Sequence, residues 1–118
     1  MGAWGTGIFD DDTALDVQGD WIKLASEPRG SETATSEILR EYSEALEDID
    51  ERAVIWLALA QIEIDHSCLT ERVKQEASQI IEAGVNLQFW KENANNMEDV
   101  DRRAKVLKEL ESSIKNYK

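Results

Sequence analysis

Apolar residues in this chain recur at intervals of three and four, and no stretch alternates strictly between apolar and polar. That period marks helices with one buried face. A first helix is expected to start after Asp11 or Asp12, where a carboxylate can accept from the free N–H groups of the first turn. Ala14, Val17, Trp21, Leu24 and Ala25 share one of its faces, with Gly19 a mild weakness inside it. "SEPRGSE" breaks the chain, because the residue before Pro28 is biased away from helix. A second helix is predicted over about 33–46, with Ile38, Tyr42, Ala45 and Ile49 in register.

The third, over about 50–66, is apolar nearly all round: Val54, Ile55, Trp56, Leu57, Leu59, Ile62 and Ile64. Such a helix is normally wrapped by others, which makes it the expected central element. A fourth begins at Thr70 as N-cap and carries Val73, Ala77, Ile80 and Ile81 up to Gly84, a C-terminal stop. "VNLQFWKENANN" reads as a short helical or irregular segment. The last helix, about 97–116, places Val100, Ala104, Leu107, Leu110 or Glu111, Ile114 and Tyr117 at helical spacing. Glu98 and Asp99 in its first turn, and Lys115 and Lys118 near its end, suit the helix macrodipole. The expected fold is all-α: a compact single-domain bundle of about five helices with a Gly/Trp-rich N-terminal anchor segment, spanning 1–118.

The 118 residues suffice for an ordinary core. One cysteine, Cys68, excludes an internal disulfide. With no signal-like start and no apolar run long enough to cross a bilayer, the expected location is cytoplasmic. Charge changes the picture more. The net −12 is confined to the first half: residues 1–66 hold 16 acids against 4 Lys/Arg, whereas residues 67–118 hold 9 of each. Such a field repels nucleic-acid phosphates and anionic lipid and speeds encounter with a basic protein.

The start, "MGAWGTGIFDDDTALD", could suggest a phosphate cradle or a calcium loop. A phosphate loop needs a lysine or a helix N-terminus, and three aspartates stand where the anion would sit. A calcium loop needs a turn glycine at a spacing that is missing. The glycines fit packing better, letting Trp4, Ile8 and Phe9 turn inward before the first helix is capped. The stretch "GAWGTGIFDDDTALD" also resembles the N-terminal signature of a bacterial family catalogued as domain of unknown function 4259: Trp-Gly-x-Gly-x-Phe, then Asp/Asn-rich residues and an alanine. Trp4, Gly5, Gly7, Phe9, Asp10, Asp12 and Ala14 match it. A weaker likeness covers "LALAQIEID" and the Trp-containing C-terminal segment, while Val17-Gln18 stands near where the pattern has an Asp-Trp pair. The resemblance implies a shared design and transfers no catalytic or ligand residues.

Candidate chemistry is sparse. Glu63 and His66 form Glu-x-x-His, with Asp65 and Cys68 nearby. A di-iron bundle needs that pattern twice, and His66 is the only histidine. Cys68 lacks a base on its own helical face, and no serine sits in a nucleophile elbow. Nothing calls for a cofactor. Trp21 and Trp56 belong to apolar stripes, whereas Trp90 lies among polar residues and is expected to be partly exposed and to contact a partner. Arg102, Arg103, Lys105 and Lys108 are expected on a solvated face interleaved with acids.

The expectation is a non-enzymatic protein-binding module, in its sharpest form an immunity or inhibitor protein that neutralises a basic bacterial toxin such as a nuclease. The partner-binding residues would be Glu37, Glu41, Glu44, Glu47, Asp48, Glu51 and Trp90, with neither nucleic acid nor membrane as partner. One alternative is a metal-dependent or hydrolytic enzyme using Glu63, Asp65 and His66. Another is a structural subunit self-associating through Trp90 and the last helix.

Overall fold

The computed structural model describes residues 5–28 and 30–117, apart from the side chains of residues 31 and 32. Gly2, Trp4 and Lys118, which entered the sequence expectations, lie outside the described residues. Six α-helices, rather than about five, form the described fold: α1 (Asp12–Ala25), α2 (Gly30–Glu41), α3 (Ile49–Asp65), α4 (Glu71–Ala83), α5 (Val85–Asn93) and α6 (Met97–Asn116). The extra helix is "VNLQFWKEN", which is a regular α5. Among the described residues no helix is long and apolar enough to cross a membrane.

α3 is the hub, packed against α1, α4, α5 and α6. Ile55, Trp56, Leu57, Ala58, Leu59, Ala60 and Ile62 are all buried, so both sides of this helix supply core. Ala14, Val17 and Trp21 of α1, Ile38 of α2, Val73 and Ala77 of α4, and Leu107, Leu110 and Ile114 of α6 close around it. In α6 the stripe passes through Leu110; Glu111 is only half-buried.

The helix ends follow local chemistry. Asp11 caps α1 by accepting from the Ala14 N–H at 3.1 Å, and Asn96 caps α6 by accepting from Asp99 N–H at 2.9 Å. Gly84 terminates α4 at φ 73°, a left-handed conformation that costs glycine little. α2 begins and ends earlier than predicted, at Glu41, and a single 3-10 turn over Ala45–Glu47 completes the connection. Glu41, Glu44 and Glu47 would crowd like charge onto the negative end of a longer helix, which explains the early stop.

α3 ends in a Schellman motif. The Cys68 N–H reaches Glu63 O at 2.8 Å and the Ser67 N–H reaches Ile64 O at 3.0 Å. The left-handed residue that this motif requires is Ser67, at φ 57°, where glycine is the usual occupant.

Candidate functional site

The N-termini of α1 and α3 open onto one groove of about 260 Å³, lined by Asp11, Thr13, Asp48, Asp50, Glu51, Val54 and Phe89. Two of its carboxylates are helix caps. Asp11 Oδ1 holds the first turn of α1, and Asp48 Oδ1 accepts from Asp50 N–H at 2.9 Å and Glu51 N–H at 3.1 Å. Capping fixes these side chains in place and sets their charge against the positive ends of the helix dipoles. The Thr13 hydroxyl donates to Glu51 Oε1 at 3.4 Å and ties α1 to α3 across the groove. Val54 and Phe89, both half-buried, form its apolar wall. This geometry suits a cationic side chain: carboxylates meet the charged head, and the wall covers the methylene stem.

The expected partner-binding acids are distributed unevenly around this groove. Asp48 and Glu51 line it, and exposed Glu47 immediately precedes Asp48 in the 3-10 turn. Glu41 and Glu44 are exposed at and beyond the end of α2, and Glu37 is ion-paired with Arg40. Asp11 and Asp50 complete the groove but were not among the expected site residues. An Asp ahead of an apolar helix reads as a cap, and sequence gives no sign that two caps face each other. Ion pairs among the described residues use Glu37, Glu98, Asp99 and Glu111, and none uses Asp11, Asp48, Asp50 or Glu51.

The negative field extends along α1 toward α2. The Tyr42 hydroxyl donates to Asp20 Oδ2 at 2.7 Å, and its pKa is pushed well above the ordinary 10.0. Burial is the main cause, followed by the bond to Asp20 and by the charges of Asp20, Asp16 and Glu41.

Glu63, Asp65 and His66 do not converge. Glu63 is 1% exposed and wholly engaged. Its Oε2 accepts from the Thr35 hydroxyl at 2.5 Å, and its Oε1 from the Thr70 N–H at 2.8 Å and the Thr70 hydroxyl at 2.9 Å. Trp21 Nε1 donates to the same Thr35 oxygen at 3.0 Å, so one buried carboxylate links α1, α2, α3 and the start of α4. Thr70 therefore precedes α4 as expected, but its hydroxyl serves Glu63 rather than capping the helix. His66 is exposed and its ring meets that of Trp21 at a 41° tilt, ring centroids 4.9 Å apart, while Asp65 accepts from Gln61 Nε2 at 2.8 Å. Among the described residues no three His, Cys, Asp or Glu side chains are placed to hold a metal. The Cys68 thiol is pushed up by burial and then by the Glu63 charge, the opposite of nucleophile activation.

Trp90 and Arg103 lie inside the fold rather than on its surface. Trp90, expected to be partly exposed and available to a partner, is only 6% exposed, and Arg103, expected on a solvated face, is 4% exposed. The reason is mutual. The Arg103 guanidinium lies over the Trp90 ring at 5.4 Å, and its Nε donates to Asn86 Oδ1 at 2.9 Å. Its Nη1 donates to the carbonyls of Thr6 at 3.2 Å and Gly7 at 3.1 Å, binding the glycine-rich start to α6. Burial lowers the Arg103 pKa to about 10, against the charges of Asp11 and Asp10, so it remains a cation at neutral pH. In the same segment, Ile8 is buried and Phe9 packs against the core.

No curated protein and no solved structure matches the chain. The model of one family does, over residues 2–117, and the chain therefore belongs to the family described as "Domain of unknown function (DUF4259)".

Proposed function

We propose that this protein is a non-enzymatic binding module that captures a basic protein partner through the acidic face centred on Asp11, Asp48, Asp50 and Glu51. The observation that carries the reading is the groove itself. Four carboxylates line it beside an apolar wall, and none is ion-paired with a described residue. Only Asp11 has a buried cation, Arg103, acting on it. Glu47 extends the acidic edge, with Glu37, Glu41 and Glu44 forming a flank on the α2 side. Complementary charge of this kind accelerates association by orders of magnitude. That advantage matters most for an inhibitor that must meet its target quickly, so the specific form proposed is a cytoplasmic immunity protein acting against a basic bacterial toxin such as a nuclease. The test is the association rate with the protein encoded by the adjacent gene, followed across a salt series. We expect the rate to fall steeply with ionic strength and the double variant Asp48→Lys/Glu51→Lys to slow it about tenfold or more. Absence of binding at low salt, or a rate indifferent to that charge reversal, would overturn the proposal.

A further inference from the structure

A second groove, of about 350 Å³, lies between the Ile8–Phe9 segment, the last turns of α3 and the Val106–Ser113 stretch of α6. Its floor is apolar. Ile8 and Leu110 are nearly sealed, at 8% and 2% exposure, whereas Phe9 and Val106 are half-buried and leave apolar surface open. Its rims are polar: Gln61 and Asp65 on α3, Glu109 and Ser113 on α6, each pair one helical turn apart. Both charged lining residues are acids. Asp65 is steadied by the Gln61 amide, and neither Asp65 nor Glu109 is ion-paired among the described residues.

We propose that this groove docks an amphipathic basic helix of the protein partner. The helix would lay its apolar face on Phe9 and Val106, over the nearly sealed Leu110, and direct Lys or Arg side chains to Asp65 and Glu109. A trough flanked by two helices and floored by apolar side chains is the geometry that accepts a helix. The acidic rims select a basic one and oppose a second copy of this chain, whose net charge is −12. This trough shares no lining residue with the acidic groove and lies toward the other end of α3. A groove formed by Ile81, Leu87, Ala104 and Leu107 is more apolar, but its rim charges, Lys108 and Glu111, cancel and select no occupant.

The inference rests on the proposed capture of a basic partner, and the experiment separates the two. The probe is a synthetic helical peptide with leucines on one face and lysines on the other, titrated into the full chain and followed by peptide anisotropy and backbone amide shifts. Two further peptides replace the leucines by serine or the lysines by glutamate. We expect the Leu/Lys peptide alone to bind tightly and to shift the amides around Val106 and Leu110. Val106→Arg, and the exposed change Glu109→Lys, should each weaken it about tenfold. If the Ser/Lys peptide binds as well, or both variants bind as the wild type does, this proposal is overturned while charge-driven capture elsewhere on the acidic face stands. If no lysine peptide binds at low salt, this proposal is overturned, while capture through the acidic groove is decided by the association-rate series.

Discussion

The guanidinium of Arg103 covers the indole of Trp90 at 5.4 Å, and the two side chains bury one another within segments whose composition is polar. Arg103 also satisfies Asn86 Oδ1 and two backbone carbonyls, those of Thr6 and Gly7. Replacing it with Met keeps much of the volume and strands those three acceptors. The expected loss is about 2–4 kcal/mol, because a buried polar group left unpaired forfeits its solvation. Urea unfolding would measure this, and Trp90 emission would report the exposed ring. A loss under about 1 kcal/mol would mean that water replaces the guanidinium without penalty.

The Glu63 carboxylate sets up a similar test. Glu63→Ala removes the acceptor of the Thr35 hydroxyl and of the Thr70 N–H and hydroxyl and empties a buried site, and should cost about 2–4 kcal/mol. His66 is exposed and only touches Trp21 at a tilt, so His66→Ala should stay within about 0.5 kcal/mol of wild type. The contrast discriminates between roles. If Glu63 and His66 acted together on a ligand, both changes would affect the same ligand-dependent shift in melting temperature.

These two buried polar clusters also mark where reading the sequence stops. The periodic features are legible: the apolar α3, the stripe of α6, the Asp11 cap and the Gly84 stop each follow from residues within a turn or two of one another. Arg103 is not, because Trp90 and Asn86 belong to another helix and its two remaining partners are backbone carbonyls 96 and 97 residues away, which carry no side-chain signal. The charge asymmetry announces an acidic face from composition alone. Its shape depends on two helix starts meeting, 37 residues apart in Asp11 and Asp48, a relation that only the packing of α1 on α3 creates.

Ser67 offers a prediction of opposite sign. It holds the left-handed position of the Schellman motif at φ 57°. A glycine there avoids the crowding of Cβ against the backbone but adds freedom to the unfolded chain. Ser67→Gly should therefore be stabilising by about 0.5–1 kcal/mol, and Ser67→Val, with a branched Cβ, clearly destabilising. Thermal unfolding of the pair settles the order. A glycine variant less stable than the valine one would contradict the motif.

Tyr42 predicts how stability responds to alkaline pH. Its folded pKa lies above the unfolded value of 10.0, so the native state holds the phenol proton where the unfolded state releases it. Stability from this group is intact below pH 10 and declines as pH rises above it. The Cys68 thiol, raised from 9.0, contributes a loss of the same sign starting lower, so Cys68→Ala is the proper background. Arg103 acts in the opposite direction, since its folded pKa is lowered to about 10 from 12.5 and proton release there favours the native state. Adding Tyr42→Phe should remove the alkaline decline, at a cost near neutrality of about 1 kcal/mol for the bond to Asp20. An unchanged alkaline profile in the double variant would show that Tyr42 does not carry it.

Asp48 serves both the fold and the proposed capture, and its neighbour Glu51 allows the two roles to be separated. Asp48 Oδ1 accepts the N–H groups of Asp50 and Glu51 at the start of α3, so Asp48→Ala should cost about 1 kcal/mol of stability. Asp48→Asn keeps the capping oxygen and removes the charge, which preserves most of that stability while weakening the field in the groove. Glu51 caps nothing and its side chain meets only the Thr13 hydroxyl, at 3.4 Å, so Glu51→Gln should leave unfolding within about 0.5 kcal/mol of wild type. If the groove steers a basic partner, Asp48→Asn and Glu51→Gln should slow association by similar factors at low salt and converge with wild type as salt screens the field. If only Asp48→Ala affected binding, and did so in proportion to its loss of stability, the acids of this groove would be serving the helix rather than a partner.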